Sequence, residues 1–182
     1  MRADGIRGDL HQAGVCTPAA SQLPADPPPP FCKSHSRRRW CLQYNAAPSE
    51  AMVIEQRIEE ITRANLAFYA AFESLDMLQM DKVWAHLEYV TCIHPGWSLR
   101  SDWPAVRDSW VLIFNNTFSM KFELTDVQVQ VAGDLGWVIC TENLTSRQGD
   151  KPVESRVLAT NLFERIGDEW LMIHHHGSPV MG

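Results

Sequence analysis

Residues 127–146 read VQVQVAGDLGWVICTENLTS, and their pattern sets the class of fold. Val127, Val129 and Val131 alternate with polar residues, the period of a strand with one buried face. Gly133-Asp134 supplies a tight turn, and Trp137 to Ser146 returns as a second strand. Working outward, the first strand extends back to Phe118. Downstream, Gly149-Asp150 and Gly167-Asp168 mark two more turns, which frame strands at Val153 to Arg165 and Trp170 to His176. The four strands read as an antiparallel meander.

The chain before the meander is helical. Ile54, Ile58, Ile61, Phe68, Phe72 and Leu75 recur at steps of three, four and seven, which is one apolar stripe of a helix. Glu55, Glu59 and Glu60 occupy its early turns, where the helix dipole favours negative charge. Asp76 is placed to cap a second, short helix carrying Leu78, Val83 and Trp84. Tyr89 to Ile93 is rich in β formers and ends at His94-Pro95-Gly96, because Pro95 holds His94 extended. A third helix follows, with Pro104 in its first turn and Val106, Trp110 and Phe114 facing inward. Helices followed by an antiparallel sheet make an α+β fold. Three helices do not cover both faces of four long strands, so one face should meet a partner or stay open as a pocket.

Composition narrows the function. The 182 residues are 45% hydrophobic and include seven Trp, enough for one sizeable core. A net charge of −6 argues against sequence-independent nucleic-acid binding, which relies on Lys and Arg neutralising phosphates. No apolar run approaches the roughly 18–20 residues of a membrane span. Seven of the eleven Pro precede residue 51, in a stretch without helical or strand periodicity. Residues 1–51 are therefore expected to form a disordered tail, a translated leader upstream of Met52, with residues 52–182 as the folded domain. The tail has no apolar stretch of the about 7–15 residues that a secretory signal needs. Cys16, Cys32 and Cys41 lie in the tail and Cys92 and Cys140 in the domain, an odd set without metal-type spacing. That pattern predicts reduced thiols and a cytoplasmic location.

Three phrases carry a family resemblance: Ile93-His94-Pro95-Gly96-Trp97, Gly133-Asp134, and Gly167-Asp168-Glu169-Trp170 followed by His174-His175-His176-Gly177-Ser178. Over residues 54–180 the chain resembles the nuclear transport factor 2-like superfamily, and within it the SnoaL-like branch. That group includes ketosteroid isomerase, polyketide cyclases and the association domain of calcium/calmodulin-dependent protein kinase. The resemblance implies a cone, in which a curved antiparallel sheet wraps three helices around a pocket. It also implies a homodimer through the sheet's outer face. The implied activity is cofactor-independent proton transfer on a small apolar carbonyl compound, as in isomerisation, cyclisation or dehydration. The alternative is a non-enzymatic ligand-binding or oligomerisation domain.

Matched to ketosteroid isomerase, the resemblance puts His94 where that enzyme carries its proton-transferring Asp, and Tyr69, before Ala70-Ala71, at its oxyanion-stabilising Tyr. The second oxyanion donor falls on Thr160 or Asn161. His94 suits general-base work because an unperturbed imidazole titrates near neutrality. Similarity to the kinase association domain favours Asn143 and Asn161 as polar pocket residues, although either Glu142 or Asn143 faces inward by alternation. Trp97, just after Pro-Gly, should lie at the pocket mouth, and Trp84, Trp110 and Trp137 should line the interior or mouth. On the last strand, either His175 or the pair His174 and His176 lines the pocket, with His175 favoured. A metal would need His94 and Glu142 to join the last-strand histidines on one face, so no metal and no cofactor are expected.

Overall fold

The computed structural model describes residues 49–147 and 152–180. Expectations about residues 1–48 and the Gly149-Asp150 turn lie outside the described residues. Helix α1 spans Glu50–Ser74, α2 Met77–Val83 and α3 Trp103–Asn115. The strands are β1 (Thr91–Ile93), β2 (Arg100–Ser101), β3 (Ser119–Ala132), β4 (Leu135–Arg147), β5 (Pro152–Ile166) and β6 (Glu169–Pro179). They form one six-stranded sheet in the order β2-β1-β6-β5-β4-β3. Every pairing is antiparallel except β1 with β6.

Each helix begins where its cap dictates. Ser49 accepts a hydrogen bond from Met52 N, so α1 starts at Glu50, two residues before the expected boundary at Met52. Asp76 caps α2 through Leu78 N, and Asp102 caps α3 through Ala105 N with Pro104 in the first turn. The α1 stripe is buried from Ile61 to Phe72, whereas Ile54 is exposed and Leu75 is half-buried. Arg57, one turn after Ile54, already donates to Gly133 O at the β3–β4 turn, so the first turn of α1 runs past the end of the sheet.

One glycine sets which face of β4 meets the helices. A Cβ on Gly136 would lie 2.8 Å from Ile61 Cγ1, closer than a carbon contact allows. The helix thus packs directly on the strand backbone at that point. Strand alternation then turns Gly136, Val138, Cys140 and Glu142 toward α1, together with their cross-strand neighbours Phe163, Asn161, Ala159 and Val157 on β5. The core of Ile61, Phe68, Phe72, Met80, Trp84, Trp110, Val138, Phe163 and Met172 fills the space between. Bulges between Thr125 and Gln128 and between Leu162 and Phe163 interrupt β3 and β5–β6, and such interruptions bend a sheet. Among the described residues no helix is long and apolar enough to cross a membrane.

Candidate functional site

A polar chain crosses this apolar interior. Asn65, Tyr69, Glu142, Asn161 and His175 are all nearly or fully buried. Asn161 Nδ2 donates to Asn65 Oδ1 at 2.8 Å and to the Tyr69 hydroxyl at 3.2 Å. Tyr69 in turn donates to Glu142 Oε1 at 2.7 Å, and Cys140 Sγ lies 3.4 Å from the same hydroxyl. On the other side, Asn161 Oδ1 is 2.7 Å from His175 Nδ1. A carbonyl oxygen can only accept, so His175 carries its proton on Nδ1 and leaves Nε2 as an acceptor.

The chain continues toward His94 through rings. The His175 and His94 ring centroids are 6.2 Å apart, and Trp110 packs edge-on against His94 at 4.5 Å. Ser109 Oγ donates its own proton to Val106 O, so the 2.8 Å contact from His94 Nε2 is an N–H donation to Ser109. His94 Nδ1 then keeps a lone pair. The His94–Trp97 turn is closed by Trp97 N–H on His94 O, with Gly96 at a φ of +79° that a side chain would resist. Trp97 meets His94 edge-on at 5.0 Å and carries the Arg100 guanidinium over its ring. The buried indole N–H of Trp110 finds no acceptor among the described residues.

Burial sets the protonation states. The Glu142 carboxyl is pushed up to about 7, against the lowering effect of the Tyr69 hydrogen bond. Burial, with Arg100 adding to it, lowers His94 to about 4. His175 is held well below its ordinary value by burial and the neighbouring histidines. The Tyr69 phenol is driven far up by burial and by the charge of Glu142. At neutral pH both imidazoles and the phenol are neutral, and Glu142 is the group of the network poised to exchange a proton.

The structure links His94, Trp97, Trp110, His175, Asn161 and Tyr69 by side-chain contacts, with no direct contact between His94 and Tyr69 among those described. His94 and Tyr69 are joined through His175 and Asn161, with the Phe68 ring against both Tyr69 and His175. Of the open alternatives, Asn161 rather than Thr160 points inward, and His175 rather than His174 or His176. Asn143 is corrected: it lies on the outer face, where its amide donates to Glu123 O and Thr125 Oγ1. Its neighbour Glu142 takes the inward place because the contact between Gly136 and Ile61 sets the even-numbered residues of β4 inside. Trp137 follows Asn143 to the outer face. His174 sits outside against Thr91 Oγ1 at 2.7 Å, and its ring packs against His176. The faces therefore do not bring His94 and Glu142 to that pair. Sequence reasoning missed Asn65 and Ser109. Asn65 had a visible signal, a polar residue four before Tyr69 and four after Ile61 on the buried stripe of α1.

Residues 61–182 match the SnoaL-like domain family. The chain belongs to that family. Among curated proteins, the F-box protein SKIP8 of Arabidopsis thaliana is 30% identical over 121 residues, covering 66% of this chain and 50% of that protein. The chain thus spans about half the length of this curated relative. Among solved structures, a suggested dehydratase of the nuclear transport factor 2-like family from Streptomyces avermitilis is 39% identical with a TM-score of 0.67. The match covers 70% of this chain and 99% of that one. A suggested calcium/calmodulin-dependent protein kinase type II association domain from Thiobacillus denitrificans is 33% identical, with a TM-score of 0.56 over 65% of this chain and 93% of that one. A nuclear transport factor 2-like superfamily protein from Salmonella enterica shares the fold at 14% identity, with a TM-score of 0.63 over 72% and 94% of the two chains.

Proposed function

We propose that this SnoaL-like domain catalyses cofactor-independent proton transfer on a small apolar carbonyl compound, in an isomerisation, cyclisation or dehydration. One observation carries the reading: the buried Glu142 carboxyl, held by the Tyr69 hydroxyl and matched by no cationic partner among the described residues. Carboxyls kept in such surroundings hold or release a proton near pH 7, which is the requirement for a general base. In the reaction Glu142 takes a proton from the carbon beside the carbonyl. The Tyr69 hydroxyl turns from Glu142 to the enolate oxygen that forms. Glu142 then returns the proton to another carbon, or delivers it to a departing hydroxyl in a dehydration. His94 is the second candidate base, and its Nδ1 lone pair serves that role at the far end of the network. The match to a suggested dehydratase supports this class of chemistry.

The test is hydrogen–deuterium exchange at the carbon beside the carbonyl, followed by NMR for a panel of cyclic ketones and enones in D2O. Acceleration by the protein, lost in Glu142→Gln and Tyr69→Phe, supports the reading. Loss in His94→Ala alone moves the base to His94. No acceleration for any compound favours a ligand-binding or assembly role.

That second role has its own support. The outer face of the sheet carries Trp137, Ile139, Leu158 and Leu162, of which Leu158 is 48% exposed. Apolar residues clustered on an open sheet suit the outer-face pairing of a homodimer. Light scattering at micromolar concentration should give twice the chain mass, and Leu158→Glu should halve it. The free, buried thiols of Cys92 and Cys140 accord with a reducing, cytoplasmic setting.

A further inference from the structure

The outer face of the sheet carries two imidazoles that the proposed reaction does not use. Strand alternation sends His175 inward and its neighbours His174 and His176 outward, on one side of β6. Their ring centroids lie 6.4 Å apart, with the planes at 72°. Thr91 stands opposite His174 on β1, and its hydroxyl oxygen is 2.7 Å from His174 Nδ1. That hydroxyl can accept the Nδ1 proton, which leaves a lone pair on His174 Nε2. Histidines that bind metals are oriented in this way, by an oxygen on the ring nitrogen that does not touch the ion. We propose that His174 and His176 form a two-imidazole site for a borderline divalent cation (zinc, nickel or copper(II)), with Thr91 as its positioning residue.

Distances decide whether one ion reaches both rings. An imidazole nitrogen binds zinc at about 2.0–2.1 Å, which puts the ion about 3.2 Å from the ring centroid. Two such rings are about 6.4 Å apart when opposed across the ion and about 5 Å apart at a tetrahedral angle. The observed 6.4 Å is the outer end of that range. His176 is exposed and can close the gap by turning about its side-chain bonds, while His174 is half-buried and held by Thr91. Protonation agrees with the geometry. Burial, with His176 adding to it, holds His174 below its ordinary value, so at neutral pH its ring is uncharged, the form that binds an ion. The surroundings select the ion. The residues paired with His174 and His176 are Leu162 and Thr160 on β5 and Thr91 and Ile93 on β1. None of the four repels a cation, and none offers the carboxylate that magnesium or calcium prefers. The metal set weighed from the sequence needed His94 and Glu142, which lie on the inner face; here two imidazoles and water suffice. Among the described residues no third His, Cys, Asp or Glu joins the pair.

The site uses neither Tyr69 nor Glu142, so its test stands apart from turnover. Nickel ion alone is titrated into the full chain, and the imidazole proton signals of each histidine are followed by NMR. Those of His174 and His176 should broaden together, at a nickel concentration at least about tenfold below that needed at His86, a single exposed histidine. His176→Ala should raise the concentration needed at His174 to that of His86. Thr91→Val keeps the branched shape and removes the hydroxyl, and should weaken binding about tenfold. Excess magnesium should leave the nickel affinity unchanged. Broadening of the pair only at the concentration that His86 needs would mean an adventitious ion only, and overturns the site. A His174 response unchanged in His176→Ala overturns shared binding by the two rings. Undiminished affinity in Thr91→Val overturns the positioning role, and displacement by magnesium overturns the ion class.

Discussion

The Tyr69 hydroxyl donates to Glu142 Oε1 across 2.7 Å, which joins the buried face of α1 to the inner face of β4 through a phenol and a carboxyl. Both groups are buried, and the Tyr69 hydroxyl that donates to Glu142 is itself held by Asn161. The pair therefore links a site to the stability of the fold.

Glu142 should make stability fall as pH rises toward neutrality. Burial raises its folded value to about 7 from an ordinary 4.5, so the folded state binds the proton more tightly than the unfolded chain. Its contribution is fully present below pH 4.5 and is lost as pH rises through about 7, up to about 3 kcal/mol in all. Glu142→Gln removes that dependence. The variant should melt above the unmodified protein at pH 8, and the advantage should shrink toward pH 5. Parallel melting curves at the two pH values would refute the assignment.

His94 should act with the opposite sign. Its folded value is lowered to about 4, so its contribution is present above its ordinary 6.5 and is lost as pH falls through the folded value. His94→Gln keeps an N–H for Ser109 and removes the titration. Between pH 6.5 and 4 the variant should lose less stability than the parent, as read by urea unfolding at each pH.

Asn161 is the hub of the network, and its loss should cost more than its size suggests. Asn161→Leu strands the Asn65 carbonyl and the His175 N–H, and removes a donor from Tyr69. Buried groups left without partners each cost about 1–3 kcal/mol, so a destabilisation of roughly 3 kcal/mol is expected. Asn143→Ala, one strand away on the outer face, should cost less than about 1 kcal/mol. Urea midpoints that fail to separate the two would argue against the network as a structural unit.

Gly136→Ala should destabilise by about 1–3 kcal/mol, because the added methyl enters the space held by Ile61. Ile61→Val should recover part of the loss. A double-mutant cycle measures the coupling, and additive effects would show that the two residues do not compete for space.

The same glycine explains what was legible in the sequence. The strands at β3 to β6 and their two described turns announce themselves by period and by Gly-Asp pairs, so their places follow from local pattern. The face of β4 does not, because Trp137, Val138, Ile139 and Cys140 are apolar on both sides and give alternation nothing to grip. Resemblance then pointed to Asn143, while the packing of Ile61 on Gly136 turned Glu142 inward. A strand glycine opposite a helix was the available signal. Asn161 and His175 were legible only as alternatives, Thr160 or Asn161 and His175 or its two neighbours, and the strand register decides each. The link from His175 to Asn161 was not, since it joins two strands through side chains whose direction depends on the bulge at Leu162 and Phe163.

The parallel pairing of β1 with β6 has a consequence for synthesis of the chain. Cys92 lies opposite His175, so a strand made early waits for one made 83 positions later. On the ribosome, α1 can coil as it emerges, yet the interior beside His94 stays unclosed until β6 arrives between β1 and β5. Pairing over such sequence distance is slow, since a long loop must close before any contact rewards it. A translation stop before β6 leaves two strand edges bare, and such truncated chains would aggregate rather than fold. A nascent chain thus has a window in which its interior is open to chaperones or small solutes, and the last strand shuts it.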